Sequence, residues 1–503
     1  MKLKYIIFSF LLLNACQFLT AQEELPTFIK DSLDTYLRSE QKQWKIPALA
    51  VAIIKDGKVV KTFIDGVTDY ESNTPIDENT LFMIGSNSKA FTTTLMATLA
   101  QEDAVSLKDP VVKWLPYFKL HDPWLTQNVD IVDVLSHRVG FETFQGDFLN
   151  FDNELTSEEI IKKFALIKPT HQYRETWGYF NTGYTIAGEI IKSATGKTWA
   201  EQLQEKIFTP LEMKNSLALS KDIIKSSNRT LAHTIIDGEP VVIDYGDIDA
   251  TAPAGSISSS ISDMSKWVIT LLADGRYQGK QVIPTKAIEA TRTPRSIMGD
   301  ARSPFRLYGL GWDIEAFDGH KLIMHTGGIH GYVTSVTMLP EKNLGIVILT
   351  NTDSNYLFEG LKYDILNAYL GNEHRGVSNL YYGFFAQSRA AKKKQKEAWL
   401  TTVAEKNKPS VSLSDFEGTY TNEVYGWIKI NKKQDVLYID FEHHKDLTVT
   451  LQHTKDNEFL ASFNNPLYGE SIFPFEVVDG KVKKFTLKLD PQVEQTTYDF
   501  YKK

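Results

Sequence analysis

Two groups of strand-like runs stand far apart in the chain, and their separation constrains the fold more than any other feature. The first, ALAVAIIKDGKVVKTFIDG, reads as two strands around Lys55-Asp56-Gly57-Lys58, and PTFIKDSLDTYLRSEQKQW before it carries apolar residues at helical spacing. The second comprises HKLIMHTGG, GYVTSVTML and LGIVILTN, the last two joined by Pro340-Glu341-Lys342-Asn343, with the amphipathic FEGLKYDILNAYL following. Strands cannot stay unpaired. The two groups are therefore expected to meet in one antiparallel sheet packed by the terminal helices, an α/β body with a mostly helical insertion between them.

This body spans 22–370. From Gly371 the pattern changes: AQSRAAKKKQKEAWLTTVAEKNK reads as a polar, lysine-rich helix or linker over 371–411. Residues 412–503 then alternate through GWIKINKK, VLYIDFEH, LTVTLQH and KKFTLKL with turns such as Asp479-Gly480, the pattern of a small all-β C-terminal barrel that folds as a separate tail.

At the other end, Met1-Lys2-Leu3-Lys4 and the apolar YIIFSFLLLNACQFL read as a secretory signal over 1–21, cleaved after Ala21, so the protein is expected to be exported, periplasmic or secreted. Leu13-Asn14-Ala15-Cys16 offers a lipoprotein alternative, and a membrane partner is expected only if Cys16 is lipidated. Cys16 is the one cysteine of the 503 residues, so disulfides, thiol catalysis and cysteine-held metals are not expected in the mature chain. A net charge of -8 with no long block of one sign argues against a nucleic-acid partner and for a small-molecule, peptide or ester substrate.

Serine followed three residues later by lysine occurs in Ser39-Glu40-Gln41-Lys42 and Ser86-Asn87-Ser88-Lys89. The first lies in a charged stretch and reads as a helix surface. The second opens AFTTTLMATLA, a buried helix, so Ser86 and Lys89 share its first turn, where backbone N–H groups face whatever the serine attacks. A serine hydroxyl needs a proton acceptor, which a desolvated lysine or a phenolate can supply. Tyr179-Phe180-Asn181, at the start of another small-residue helix, offers a phenol and an amide, whereas Tyr420-Thr421-Asn422 reads as strand and turn. His325-Thr326-Gly327-Gly328 ends a strand-like run and can line a cleft. His137 reads as a buried helix-end residue. His443 and His444, adjacent on a strand, face opposite ways, so no metal site or other cofactor is expected. No Gly-x-Ser-x-Gly elbow surrounds a serine.

Ser-x-x-Lys, Tyr-x-Asn and His-Thr-Gly in this order resemble the serine β-lactamase-related family of class C β-lactamases, D-alanyl-D-alanine carboxypeptidases and related esterases. LKDPVVKWLP, VDVLSHRVGF, IFTPLEMKNS, APAGSISSSISDMSKW and GGIHGYVT are similar to its recurring segments, and the C-terminal segment resembles the lipocalin-like barrel of some members. The resemblance implies a β-lactamase/transpeptidase-like fold with the site between the sheet and an all-helical subdomain. Ser86 would be the acylated nucleophile, Lys89 its activator and Tyr179 the proton shuttle. Asn181, His325, Thr326 and Gly327 would bind substrate, and the amides of Ser86 and Gly328 would form the oxyanion hole. Either Lys89 or Tyr179 could be the acylation base.

The expected activity is hydrolysis of an ester, a D-amino-acid peptide or a related amide. A true β-lactamase and a non-hydrolytic penicillin-binding sensor are the alternatives. His325 stands where many β-lactamases have lysine, so a substrate carboxylate would lack a cation on this strand unless Arg302 or Arg306 supplied one.

Overall fold

The computed structural model describes residues 24–299 and 305–503. The signal segment, Cys16 and Arg302 therefore lie outside the described residues.

The two groups of strands do meet. Strands β1 (Ala48–Lys55) and β2 (Lys58–Gly66) form a hairpin whose turn residues Asp56 and Gly57 both have positive φ, 52° and 75°, as a tight two-residue hairpin turn requires. The sheet continues with β3 (Ser296–Ile297), β4 (Leu307–Tyr308), β5 (Asp313–Phe317), β6 (His320–Ile329), β7 (Tyr332–Leu339) and β8 (Leu344–Thr350). Its spatial order is β3-β4-β5-β6-β7-β8-β1-β2, with β1 antiparallel to β8 from Leu49 opposite Thr350 to Lys55 opposite Leu344. Sequence reading missed β3, β4 and β5, two of which have only two residues and so carry no period.

Both faces of β1 are buried, which explains its near-continuous apolar run. Ala48, Ala50 and Ala52 face one core, shared with Trp267 of the helix α4 introduced below. Leu49, Val51 and Ile53 face another, shared with helix α1 (Leu33–Trp44). Ser39 and Lys42 are exposed on α1, as expected of a helix surface. The insertion contributes α2 (Ser88–Gln101), α3 (Thr182–Thr195) and α4 (Ile261–Leu272), and α5 (Leu357–Leu370) closes the body.

Helix α6 (Val377–Ala404) has 28 residues, about 42 Å of helix. Its start is fastened to α1: Tyr382 and Phe385 pack on Trp44 with ring centroids 5.0 and 5.2 Å apart. Its later turns run beside the barrel, where Lys392 pairs with Asp490 and Lys396 with Glu470. The eight strands after it, from Gly418–Asn422 to Tyr498–Lys502, close into a barrel. Tyr420 is buried there with its hydroxyl donating to the Phe416 carbonyl, the structural role expected of it.

The barrel is not a free tail. Phe148 of the helical part stacks on His444 at 4.0 Å and meets Tyr425, Phe441 and Tyr468, so apolar residues of body and barrel form one continuous core. A sequence cannot show this, because each half supplies its partners from a different part of the chain. No helix among the described residues is long and apolar enough to cross a membrane.

Candidate active site

Ser86 sits in the single turn Gly85–Asn87 that leads into α2, and two glycines bring this turn against β6. A Cβ on Gly327 would lie 1.9 Å from the Ile84 carbonyl oxygen, and one on Gly85 would lie 2.9 Å from the Gly328 nitrogen. Gly85 also has φ of 53°. Only glycine allows this approach.

One turn along α2, Lys89 is completely buried. Its Nζ donates to Ser86 Oγ at 3.1 Å, to Asn181 Oδ1 at 2.6 Å and to the Ala254 carbonyl at 2.7 Å, and lies 4.7 Å from the Tyr179 ring centre. Burial lowers the Lys89 pKa to about 7, opposed by the nearby Asp147 carboxylate. Burial raises the Tyr179 pKa well above the usual phenol value, opposed by the nearby Ser86 hydroxyl, so its hydroxyl keeps its proton near neutrality.

Asn181, at the start of α3, is engaged on both sides, because its Nδ2 donates to Asp147 while its Oδ1 accepts from Lys89. Asp147 is fully buried and also accepts from Asn150 Nδ2 at 2.9 Å. Burial pushes its carboxyl up to about 7, opposed by the Asn181 hydrogen bond. Sequence reading missed Asp147. Its one signal was a lone acid inside the apolar stretch QGDFLNF.

His325 is buried on β6. Its Nδ1 lies 2.6 Å from the Thr326 carbonyl oxygen and its Nε2 3.1 Å from Tyr308 Oη. The carbonyl can only accept, so this network puts the ring proton on Nδ1 and makes Nε2 the acceptor. Burial, together with Lys89, lowers the His325 pKa to about 3, which leaves the ring neutral. Tyr308 was also missed. It meets His137 Nε2 at 3.3 Å, and His137 Nδ1 accepts from the Phe180 amide at 3.0 Å, so His137 is the buried, hydrogen-bonded residue expected.

Thr326, Gly327 and Gly328 line the same cleft as Ser86, Tyr179, Asn181 and His325, a space of about 1870 Å³ that reaches outward between α6 and the barrel. Arg306 borders it but is held by Asp313 and Glu315, each at 3.0 Å. His444 is buried with its Nε2 3.0 Å from the Phe148 carbonyl oxygen, and no group of three or more metal-binding side chains occurs among the described residues.

The family model described as Beta-lactamase matches residues 33–369, and one described as a domain of unknown function, DUF3471, matches 403–502. The chain is 27% identical over 458 residues to the unguisins hydrolase ungD' of Aspergillus campestris, covering 86% of this chain and 82% of that one. It is 24% identical over 345 residues to protein flp of Staphylococcus aureus, covering 67% of each. Among solved structures, the octameric penicillin-binding protein homologue from Pyrococcus abyssi superposes with a TM-score of 0.60 at 21% identity, over 93% of this chain and 99% of that one.

Proposed function

Because the chain belongs to the Beta-lactamase family, a family of serine hydrolases, we propose that it hydrolyses an uncharged ester or amide through an acyl intermediate on Ser86. The observation that carries this reading is the 3.1 Å contact between Ser86 Oγ and Lys89 Nζ, with Lys89 buried and its pKa lowered to about 7. A neutral amine there is a competent general base, and a phenol held well above its usual pKa is not.

In this reading the Lys89 amine takes the Ser86 proton as Oγ bonds to the substrate carbonyl carbon. The amides of Ser86 and Gly328 receive the developing oxyanion, each worth about 3 kcal/mol. Tyr179 gives its proton to the leaving alcohol or amine as that bond breaks, and recovers one from the Lys89 ammonium. Water then releases the acid by the reverse sequence. Asn181 fixes Lys89, and Thr326 and Gly327 form the strand along which the acyl part lies.

Two observations bear on the substrate. His325 is neutral and Arg306 is already paired with two carboxylates, so neither offers a free cation to a substrate carboxylate lying along β6, and the cations that line the cleft instead, such as Arg389 and Lys393, belong to α6. The space reaching out between α6 and the barrel suits an extended substrate. A relative named as a hydrolase supports turnover over a silent sensor. Export rests on residues 1–21 alone and is proposed on their pattern, to be checked by sequencing the mature N-terminus.

The test is covalent labelling by a fluorophosphonate together with ester turnover. Both should be lost in Ser86→Ala and kept in Ser39→Ala; a labelled, active Ser86→Ala protein overturns the reading.

A further inference from the structure

One buried side chain of the C-terminal barrel holds the segment that carries Asp147. Glu494 is 2% exposed and its carboxylate accepts four hydrogen bonds. Two come from backbone amides of the body, Gly146 N at 2.6 Å and Phe148 N at 3.1 Å. Two come from barrel hydroxyls, Tyr425 Oη at 2.6 Å and Tyr498 Oη at 2.7 Å. Four donors match the acceptor capacity of a carboxylate, so the group is saturated without water.

The two amides it holds flank Asp147. On the same segment His444 Nε2 contacts the Phe148 carbonyl, and the Phe148 ring is enclosed by barrel aromatics. Gly146, with φ of 83°, is pressed so closely on Phe164 and Ile167 that a Cβ would lie 2.7 and 2.6 Å from their side chains. With both neighbours fixed, the Asp147 side chain has one place to go. It accepts from Asn181, whose other end accepts from Lys89, which donates to Ser86.

We propose that Glu494 is a positioning residue for hydrolysis: by clamping the amides of Gly146 and Phe148 it holds Asp147 and Asn181 against Lys89. The inference rests on the serine-hydrolase reading above. Docking alone does not account for Glu494. Burial pushes the Glu494 carboxyl up to about 7, opposed by its Tyr425 hydrogen bond, and Glu494 in turn acts to raise the Asp147 pKa, so the two buried acids are costly to ionise together. A neutral acceptor would join two domains without that penalty. The seam also has an ordinary surface pair, Lys445 with Glu154, which serves as the comparison.

The experiment measures the pre-steady-state acylation rate constant with p-nitrophenyl acetate on the full chain. Glu494→Gln should lower it about tenfold while KM moves less than about threefold, since misplacement of a reacting group costs rate before binding. In an Asp147→Asn background the same substitution should cost less than about twofold, because residues acting in one chain are not additive. Tyr498→Phe, which removes one donor from Glu494, should fall about threefold with the same loss of effect in Asp147→Asn, and it carries the cycle if Glu494→Gln does not fold. Lys445→Ala should stay within about twofold. Equal losses in both backgrounds, or a Glu494→Gln rate within twofold of wild type, overturn the proposal. Failure of the hydrolase reading is seen separately, as acylation that survives Ser86→Ala.

Discussion

Replacing Asp147 by asparagine should move the pH dependence of hydrolysis in a direction the structure dictates. Lys89 must be neutral to accept the serine proton, so kcat/KM should rise with pH and level off above about 7, the value to which burial lowers it. The charged groups around the ammonium are few. Asp147 lies across the Asn181 amide, His325 and His137 are neutral through burial, and Ser86, Ala254, Tyr179 and Tyr184 present dipoles or rings. Two short hydrogen bonds and the amide between them separate the charges by roughly 7 Å, which at an effective dielectric of about 20 gives about 2 kcal/mol. Asp147 favours the ammonium only where it is ionised, and because its own pKa is about 7 this attraction fades along the ascending limb, so its loss should shift that limb of kcat/KM down by at most about one pH unit. At pH 5 Asp147 is itself protonated, so wild type and variant should there reach similar fractions of their plateaus, and the difference should be largest near pH 7. The assay is p-nitrophenyl ester hydrolysis from pH 4.5 to 9. A limb that moves upward refutes the assignment of Lys89 as the base facing Asp147.

Lys89→Ala and Tyr179→Phe should each lower kcat about a hundredfold or more with little change in Tm, whereas matching losses of Tm would mark them as structural. Uncharged short-chain esters should be hydrolysed about ten- to a hundredfold better than benzylpenicillin in kcat/KM, and faster penicillin turnover would show that another cation holds the anion. Gly327→Ala should lower Tm and activity together, because its methyl would meet the Ile84 carbonyl; Gly328→Ala, whose methyl has nothing within 4 Å, should keep the wild-type Tm. An unchanged Tm in Gly327→Ala would mean the turn carrying Ser86 is not pressed on β6.

The parts legible in the sequence are those whose signal is local. Ser86 and Lys89 share one helical turn, Tyr179 and Asn181 sit at the start of another, and β6 to β8 alternate or run apolar over whole strands. The meeting of both strand groups in one sheet followed from the need to pair β1. What the sequence hid depends on approach between distant segments. Asp147, Tyr308 and Glu494 have no motif around them, and their importance comes from what folding brings opposite each. The pairing of Arg306 with Asp313 and Glu315 was hidden for the same reason, since an arginine near a cleft looks free until its partners are placed. The docking of the barrel on Phe148 joins side chains that are each unremarkable core residues in their own segments.

The central claim is a covalent acyl intermediate on Ser86, and rapid acid quench followed by intact-protein and peptide mass spectrometry tests it most directly. With an excess of p-nitrophenyl acetate the account predicts one added acetyl group per chain within the first turnover, mapped to the peptide containing Ser86 and absent from Ser86→Ala. Steady hydrolysis with no adduct on any quench time, or an adduct on another residue that accounts for the turnover, would contradict it.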